Sequence, residues 1–158
     1  MKKGFTIIEL MVAMTIFIVV ISISSGVFIN SLKTQRSVLA LMAANDNASL
    51  TIEQISREIR TGSEFQTNGS GDRLEFVSAG GNPVIYQLQN NSIRRNGEAI
   101  TAGNVKVEYL LFKLQGEAPD DRKSTRVTIN LGVNAVGKGL TDFVTNIQTT
   151  ISARRLDA

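Results

Sequence analysis

A single carboxylate interrupts the most apolar part of this sequence. Glu9 is the only acidic residue before Asp46, and the stretch from Leu10 to Leu32 carries no charged side chain. A carboxylate in a membrane-spanning helix costs about 2.5–3.5 kcal/mol at the helix centre, and such a residue is by default a functional candidate. Nearer the membrane surface the cost is smaller, because the side chain can reach the interface or take up a proton. The position of Glu9 therefore predicts a function for this acid.

The uncharged run has the length of a membrane span. Its 23 residues suffice for a helix rising about 1.5 Å per residue, which needs about 20 to cross the hydrocarbon layer. Lys2 and Lys3 precede the run and predict a cytoplasmic amino terminus, with the rest of the chain outside. A cleaved signal peptide or a passive anchor is the alternative. The run is longer than the roughly 7–15 apolar residues of a signal peptide, and neither alternative has a use for Glu9.

The rest of the composition argues against several kinds of chemistry. The 158 residues include no Cys and no His, which leaves no disulfide, no thiol nucleophile and none of the commonest acid–base groups or zinc ligands. A net charge of +3 gives no reason to expect a dedicated nucleic-acid binder. The sequence contains neither a nucleophile elbow nor a phosphate-binding loop. We therefore expect neither an enzyme nor a cofactor.

The first ten residues resemble the class III signal of type IV pilins and type II secretion pseudopilins, in the order Lys2-Lys3-Gly4-Phe5-Thr6-Ile7-Ile8-Glu9-Leu10. The resemblance implies cleavage after Gly4 by a prepilin peptidase, N-methylation of the new terminal Phe5, and a mature chain of residues 5–158. It also implies other pilin or pseudopilin subunits and an inner-membrane assembly platform as partners. The subunit would stand in the inner membrane before assembly, and in a periplasmic or cell-surface filament after it.

Cleavage after Gly4 would place opposite charges one helical turn apart. It removes both lysines and leaves a positive amine on Phe5, while Glu9 stays negative. A neighbouring helix that is offset along the axis could then place its amine against Glu9. At about 4 Å and an effective dielectric constant of about 20, the attraction is roughly 4 kcal/mol before desolvation, which is comparable with the cost of inserting the acid. We expect this pair to set the register of a helix bundle whose packing surface includes Ile7, Ile8 and Leu10.

One long helix is predicted from Phe5 to about Thr61, since the first proline is Pro83. Its second half carries an apolar stripe at helical spacing, and Gly62 is a plausible C-cap. Gly26, beside two serines, is a candidate hinge or a site of close helix contact. The predicted organisation is a leader at 1–4, a spanning half-helix at 5–32, an amphipathic half-helix at 33–62 and a β head at 63–158. The stripe consists of Leu41, Ala48, Ile52, Ile55 and Ile59.

Beyond Gly62 the apolar period changes to two, which predicts an antiparallel sheet. The fold class is therefore α+β, with the long helix packed on the sheet. Asn96-Gly97 is the strongest hairpin signal, and Asn90-Asn91 predicts a turn into a short strand around Ile93. The other predicted strands are Arg73–Ala79, Val84–Gln89, Val105–Leu114, Arg126–Val133 and Phe143–Ser152. The last of these places Phe143, Thr145, Ile147, Thr149 and Ile151 on one face.

The order of these elements is similar to that of the J-type minor pseudopilins and related minor pilins. Many major pilins have a proline within the spanning run and a disulfide near the carboxyl end, and this sequence has neither. The missing proline favours a minor subunit, and the absence of Cys fits pseudopilins, minor pilins or pilins of other bacterial groups. The competing interpretations are a DNA-uptake pilin, which would use Arg94, Arg95, Arg154 or Arg155, and a signal-anchored extracytoplasmic enzyme.

Two further clusters are candidate sites. Glu117, Asp120 and Asp121 form an oxygen-rich segment, but Arg122 and Lys123 neutralise it and the alternation of a calcium loop is missing. We therefore expect no metal there. The arginines lack the interleaved aromatic residues on which bases would stack, so exposed strand ends are the favoured interpretation, and nucleic acid is not an expected partner.

Overall fold

The computed structural model describes residues 4–116, 124–137 and 144–154. Helix α1 runs from Ile7 to Thr61 without interruption, passing through Gly26. Eight strands follow, and the chain divides into two compact units between Val38 and Leu39. The strands are β1 Ser63–Thr67, β2 Arg73–Val77, β3 Pro83–Gln89, β4 Ser92–Arg95, β5 Glu98–Ala99, β6 Val105–Gln115, β7 Arg126–Ala135 and β8 Thr145–Ser152.

The first unit, residues 1–38, consists of helix in its described part, apart from residues 4–6. Its apolar side chains are exposed throughout, from Ile7 at 79% to Leu32 at 38%. The polar side chains of this segment bond to their own helix. The hydroxyl of Thr15 donates to the carbonyl of Met11 at 2.9 Å, and that of Ser22 to Ile18 at 2.8 Å. Such bonds satisfy a hydroxyl where no water is present.

The second unit, residues 39–158, packs the rest of α1 on two antiparallel sheets. The α+β fold is confirmed, although the strands divide between a five-stranded sheet in the order β1-β2-β3-β4-β5 and a three-stranded sheet in the order β6-β7-β8. The buried residues of α1 form a stripe along one face, with successive members four, three, four and four positions apart. It differs from the predicted stripe at Ala44 and Thr51, which are buried, and at Leu41 and Ile52, which are half-buried. The stripe is Ala44, Ala48, Thr51, Ile55 and Ile59.

The two sheets are joined by hydrogen bonds at the edge of β6. The N–H of Val107 donates to the carbonyl of Asn91 at 2.8 Å, and the N–H of Phe112 donates to the carbonyl of Gly71 at 2.6 Å. The side chain of Asn91 returns a bond to the carbonyl of Val107 at 3.1 Å. Both acceptors lie in turns of the five-stranded sheet, so the second sheet is attached through the first sheet's turns.

The predicted hairpins are present, and their backbone angles explain the residues at the turns. Asn90 and Asn91 have φ values of 53° and 56°, and Asn96 and Gly97 have 49° and 90°. Two successive positive φ values are what a two-residue hairpin with the right twist requires, and Asn and Gly adopt them most readily. Asn96 is held further, because its Oδ1 accepts the N–H of Ile85 at 2.7 Å.

Strand β1 and the role of Gly62 differ from expectation. No strand was predicted over Ser63–Thr67, whose pairing with β2 is irregular between Ser63 and Gln66. Gly62 follows the last helical residue, but the left-handed conformation belongs to Glu64, with φ 56°. What requires a glycine at 62 is space, since a Cβ there would lie 2.6 Å from Cδ2 of Phe76.

Candidate functional site

The start of α1 is fixed by a reciprocal pair of hydrogen bonds between Thr6 and Glu9. The Thr6 hydroxyl accepts the N–H of Glu9 at 3.3 Å, while Oε2 of Glu9 accepts the N–H of Thr6 at 2.9 Å. The Thr6 hydroxyl also donates to Oε2 at 2.9 Å. This is a capping box, in which two backbone donors that a helix start leaves unpaired are satisfied by side chains.

The capping box gives Glu9 a role that our sequence analysis missed. The signal for it is local: a Thr followed three residues later by a Glu, directly before an apolar run. The hydrogen bonds that the Glu9 side chain accepts both fall on Oε2, and among the described residues none donates to Oε1. The carboxylate is therefore oriented by its own helix and still has an oxygen available to a cation.

The residues that precede this capping box are exposed and lie outside the helix. Gly4 and Phe5 precede α1 in a segment without regular structure, and Phe5 is 86% exposed. A Cβ at Gly4 would meet no atom within 4 Å. The peptide bond between these two residues thus lies in an exposed segment without regular structure. Ile7, Ile8 and Leu10, the expected packing residues, are likewise exposed.

Helix α1 also contains a segment that is long and apolar enough to cross a membrane. In the described residues of the first unit, Glu9 is the only charged side chain before Lys33. The arrangement is an apolar rod with one capped acid at its start.

Comparison with known proteins bears on this segment. Residues 1–25 match the family model of the prokaryotic N-terminal methylation motif. The chain therefore carries an N-terminal methylation motif. No curated protein and no solved structure matches the chain. Gly4, Phe5 and Glu9 lie within the matched residues, and the long apolar helix fits a membrane anchor.

The second unit contains a cluster of ionisable groups that no motif in the sequence indicates. Nε of Arg95, on β4, lies 3.0 and 3.1 Å from the two carboxylate oxygens of Glu58, on α1. Tyr86, on β3, is fully buried nearby. Burial raises the pKa of the Tyr86 hydroxyl, and the Glu58 carboxylate raises it further. The hydrogen bond that Arg95 donates to Glu58 raises the pKa of Arg95. The cluster ties α1 to the five-stranded sheet.

The arginines considered as a DNA patch are not brought together as one surface. Arg95 is engaged with Glu58, while Nη1 of Arg94 donates to the carbonyl of Gly97 at 2.7 Å. The backbone N–H of Arg154 donates to the carbonyl of Arg60, near the end of α1. Arg155 lies outside the described residues. Two of the three described arginines are thus occupied by contacts within the chain.

The acidic segment containing Glu117, Asp120 and Asp121 lies outside the described residues, so its expected lack of a metal stays a prediction. Among residues 4–116, 124–137 and 144–154, no three carboxylate, Cys or His side chains are grouped as metal ligands.

Proposed function

We propose that this chain is a structural minor subunit of a type IV pilus or a type II secretion pseudopilus. It is inserted in the inner membrane by the first half of α1, with the second unit on the extracytoplasmic side. It then joins a filament through α1, at the tip or during initiation. The observation that carries the proposal is Glu9, a single acid held at the start of α1 within a methylation motif and followed by the exposed, uncharged stretch Leu10–Leu32.

Processing is the first step of the proposed function. A prepilin peptidase would cut between Gly4 and Phe5, which lie exposed ahead of the helix, and the new amine of Phe5 would be methylated. Methylation of an amine retains the positive charge at neutral pH. The test is amino-terminal mass spectrometry of chain purified from cells with the peptidase. We expect a mature form beginning at methylated Phe5. A form that keeps Met1–Gly4, or that begins near Gly26, would overturn the proposal.

Assembly is the second step, and the geometry of Glu9 suggests how it is driven. Oε2 is engaged with Thr6, whereas Oε1 accepts no bond from the described residues. A neighbouring subunit's Phe5 amine can therefore bind Oε1 while the capping box stays intact. Pairing of this kind offsets the cost of an acid in lipid and favours leaving the membrane for a helix bundle.

Two substitutions at Glu9 separate the charge from the helix cap. Glu9→Gln retains an oxygen that can accept the Thr6 N–H, because either Glu or Gln completes a capping box, but it removes the negative charge. Glu9→Val removes both. We expect both variants to enter the membrane fraction and neither to co-purify with partner subunits, which places the effect on the charge. If Glu9→Gln were to assemble as well as the unaltered chain, charge pairing would be wrong and the cap would be the function of Glu9.

The proposal that this chain is a minor subunit rests on its resemblance to minor pilins and pseudopilins, and it is tested separately. The spanning run lacks the proline that many major pilins have there, and α1 is uninterrupted through Gly26. Quantitative mass spectrometry of isolated filaments should find this chain at a small fraction of the most abundant subunit. Finding it as the main component would contradict the minor role while leaving the pilin function in place. The subunits that co-purify with it would distinguish a pilus from a secretion pseudopilus.

A further inference from the structure

The three-stranded sheet has one edge that is bonded and one that is open. At β6, the N–H groups of Val107 and Phe112 donate to carbonyls of the five-stranded sheet. At the opposite edge, no backbone group of the described residues bonds to the outward side of β8 between Asn146 and Ser152. The difference makes β8 the candidate for pairing with another strand.

The alternation of the ladder shows which β8 groups point outward. The N–H of Ala153 donates to the carbonyl of Thr125 at 2.8 Å, and pairing with β7 continues one-to-one from Ser152 back to Thr145 without a bulge. Because alternate residues of an antiparallel strand bond to the same neighbour, the odd-numbered residues of β8 bond to β7. The N–H and C=O groups directed away from β7 are those of Asn146, Gln148, Thr150 and Ser152.

The free edge has a defined end. Arg154 is the next residue whose N–H is directed away from β7. This N–H is already bonded to the carbonyl of Arg60 at 2.8 Å. The open segment therefore spans residues 146–152, and its central residue is Thr149.

Nothing in β8 protects this edge. Natural edge strands are shielded from pairing by lysines, prolines, bulges or short length. Strand β8 has eight residues, no charge and no proline, and its register with β7 is regular. Its inward side chains at Thr145, Ile147 and Thr149 are only half-buried, so an added strand would have a surface to cover.

We propose that β8 pairs antiparallel with β8 of a second copy of this chain, forming a continuous six-stranded sheet. Full overlap of the free segment places Thr149 opposite Thr149, Gln148 opposite Thr150 and Asn146 opposite Ser152. All four outward-directed residues of each copy then find partners. A register shifted by two residues leaves one of the four unpaired.

Side-chain complementarity favours a second copy over a different partner. In the full-overlap register Ile147 of one copy lies beside Ile151 of the other on the inner face, and the outer face pairs only uncharged hydrogen-bonding groups. On that face Thr128 and Thr150 already bond at 2.9 Å, so the added strand extends an existing row. A neutral strand meets no charge repulsion from itself, and charge complementarity to a different partner is missing.

Cysteine cross-linking in the full chain in membranes tests the pairing, because the unaltered chain has no Cys. Thr149→Cys places two sulfurs across a non-hydrogen-bonded pair, where the Cα atoms are about 4.5 Å apart and a disulfide can close. We expect a disulfide-linked dimer after mild oxidation. Thr145→Cys is the matched control: it lies on the same face and is also half-buried, but it is eight residues, or about 27 Å, from its counterpart. It should not cross-link.

Adding Gln148→Pro to Thr149→Cys tests whether the cross-link depends on backbone pairing at the free edge of β8. The Gln148 N–H points away from β7, so proline leaves the β7–β8 ladder intact but removes an outward donor. Cross-linking should fall at least tenfold while protease resistance is unchanged, and Gln148→Thr should have no effect. Equal cross-linking at 149 and 145, no loss with proline, or capture of a different protein at 149 would each overturn the proposal. None of these outcomes bears on processing at Phe5 or on Glu9.

Discussion

Nε of Arg95 lies 3.0 Å from one carboxylate oxygen of Glu58 and 3.1 Å from the other, joining strand β4 to helix α1. The side chains are 34% and 25% exposed, so the pair is only partly hydrated. Together with the bond from the N–H of Ala102 to Oδ1 of Asn47, at 3.1 Å, it fixes how the helix lies on the five-stranded sheet.

Removal of Arg95 should destabilise the second unit. Arg95→Met leaves the Glu58 carboxylate half-buried without its donor, and we expect a loss of about 1–2 kcal/mol in the free energy of unfolding. The control is Arg57→Met. Arg57 pairs with Glu53 on the exposed side of α1, with side chains 72% and 55% exposed. That loss should be about 0.5 kcal/mol or less. Urea unfolding of the detergent-solubilised chain measures both, and equal losses would contradict the role of the Glu58 pair.

The buried hydroxyl of Tyr86 should make stability fall at alkaline pH. Burial raises the pKa of this hydroxyl in the folded chain above the ordinary 10.0, so above about pH 10 the unfolded chain releases a proton that the folded chain keeps. Stability is therefore unaffected by Tyr86 below pH 10 and declines above it, by up to about 1.4 kcal/mol per pH unit. Tyr86→Phe should flatten this decline in unfolding curves recorded between pH 9 and 11. An unchanged slope would show that another group is responsible.

A methyl group at Gly62 should be costly. The new Cβ would lie 2.6 Å from Cδ2 and 3.0 Å from Cε2 of Phe76, whose ring is stacked between Phe65 and Tyr86 at centroid distances of 5.3 and 6.1 Å. Because the ring is held on both sides, Gly62→Ala should destabilise by about 1–3 kcal/mol. Gly69→Ala is the control, since a Cβ there meets no atom within 4 Å. Thermal unfolding of the two variants should differ, and a similar midpoint would mean that the ring shifts freely.

Glu64 should be replaceable with a gain in stability. Its φ of 56° is a left-handed conformation that costs most side chains about 1–2 kcal/mol, and that Asn tolerates better. We expect Glu64→Asn to stabilise by about 0.5 kcal/mol. Gln66→Asn, in the same exposed strand but without a positive φ, should be neutral or destabilising because Asn is disfavoured in strands. A higher unfolding midpoint for Gln66→Asn than for Glu64→Asn would contradict this account.

The features predicted correctly from sequence were those with a local signal. The absence of proline before Pro83 and the apolar spacing gave the helix to Thr61, and Asn-rich turns gave the hairpins. The way in which the two sheets join had no such signal, because it depends on bonds from β6 to Asn91 and Gly71, in turns that lie well before β6 in the chain. Strand β1 was missed because a bulge disturbs its alternation. The capping box at Thr6 and Glu9 did have a local signal, a Thr followed three residues later by a Glu. It was missed because the prediction for Glu9 considered only its charge.

The attachment of β6 to turns of the other sheet has a mechanical consequence. Val107 and Phe112 bond to carbonyls of the five-stranded sheet, so tension applied to either sheet is transmitted to the other through the backbone. Neither sheet can separate from the other before these hydrogen bonds break. We therefore expect the second unit to yield under force in one step, a useful property in any polymer that is extended and pulled.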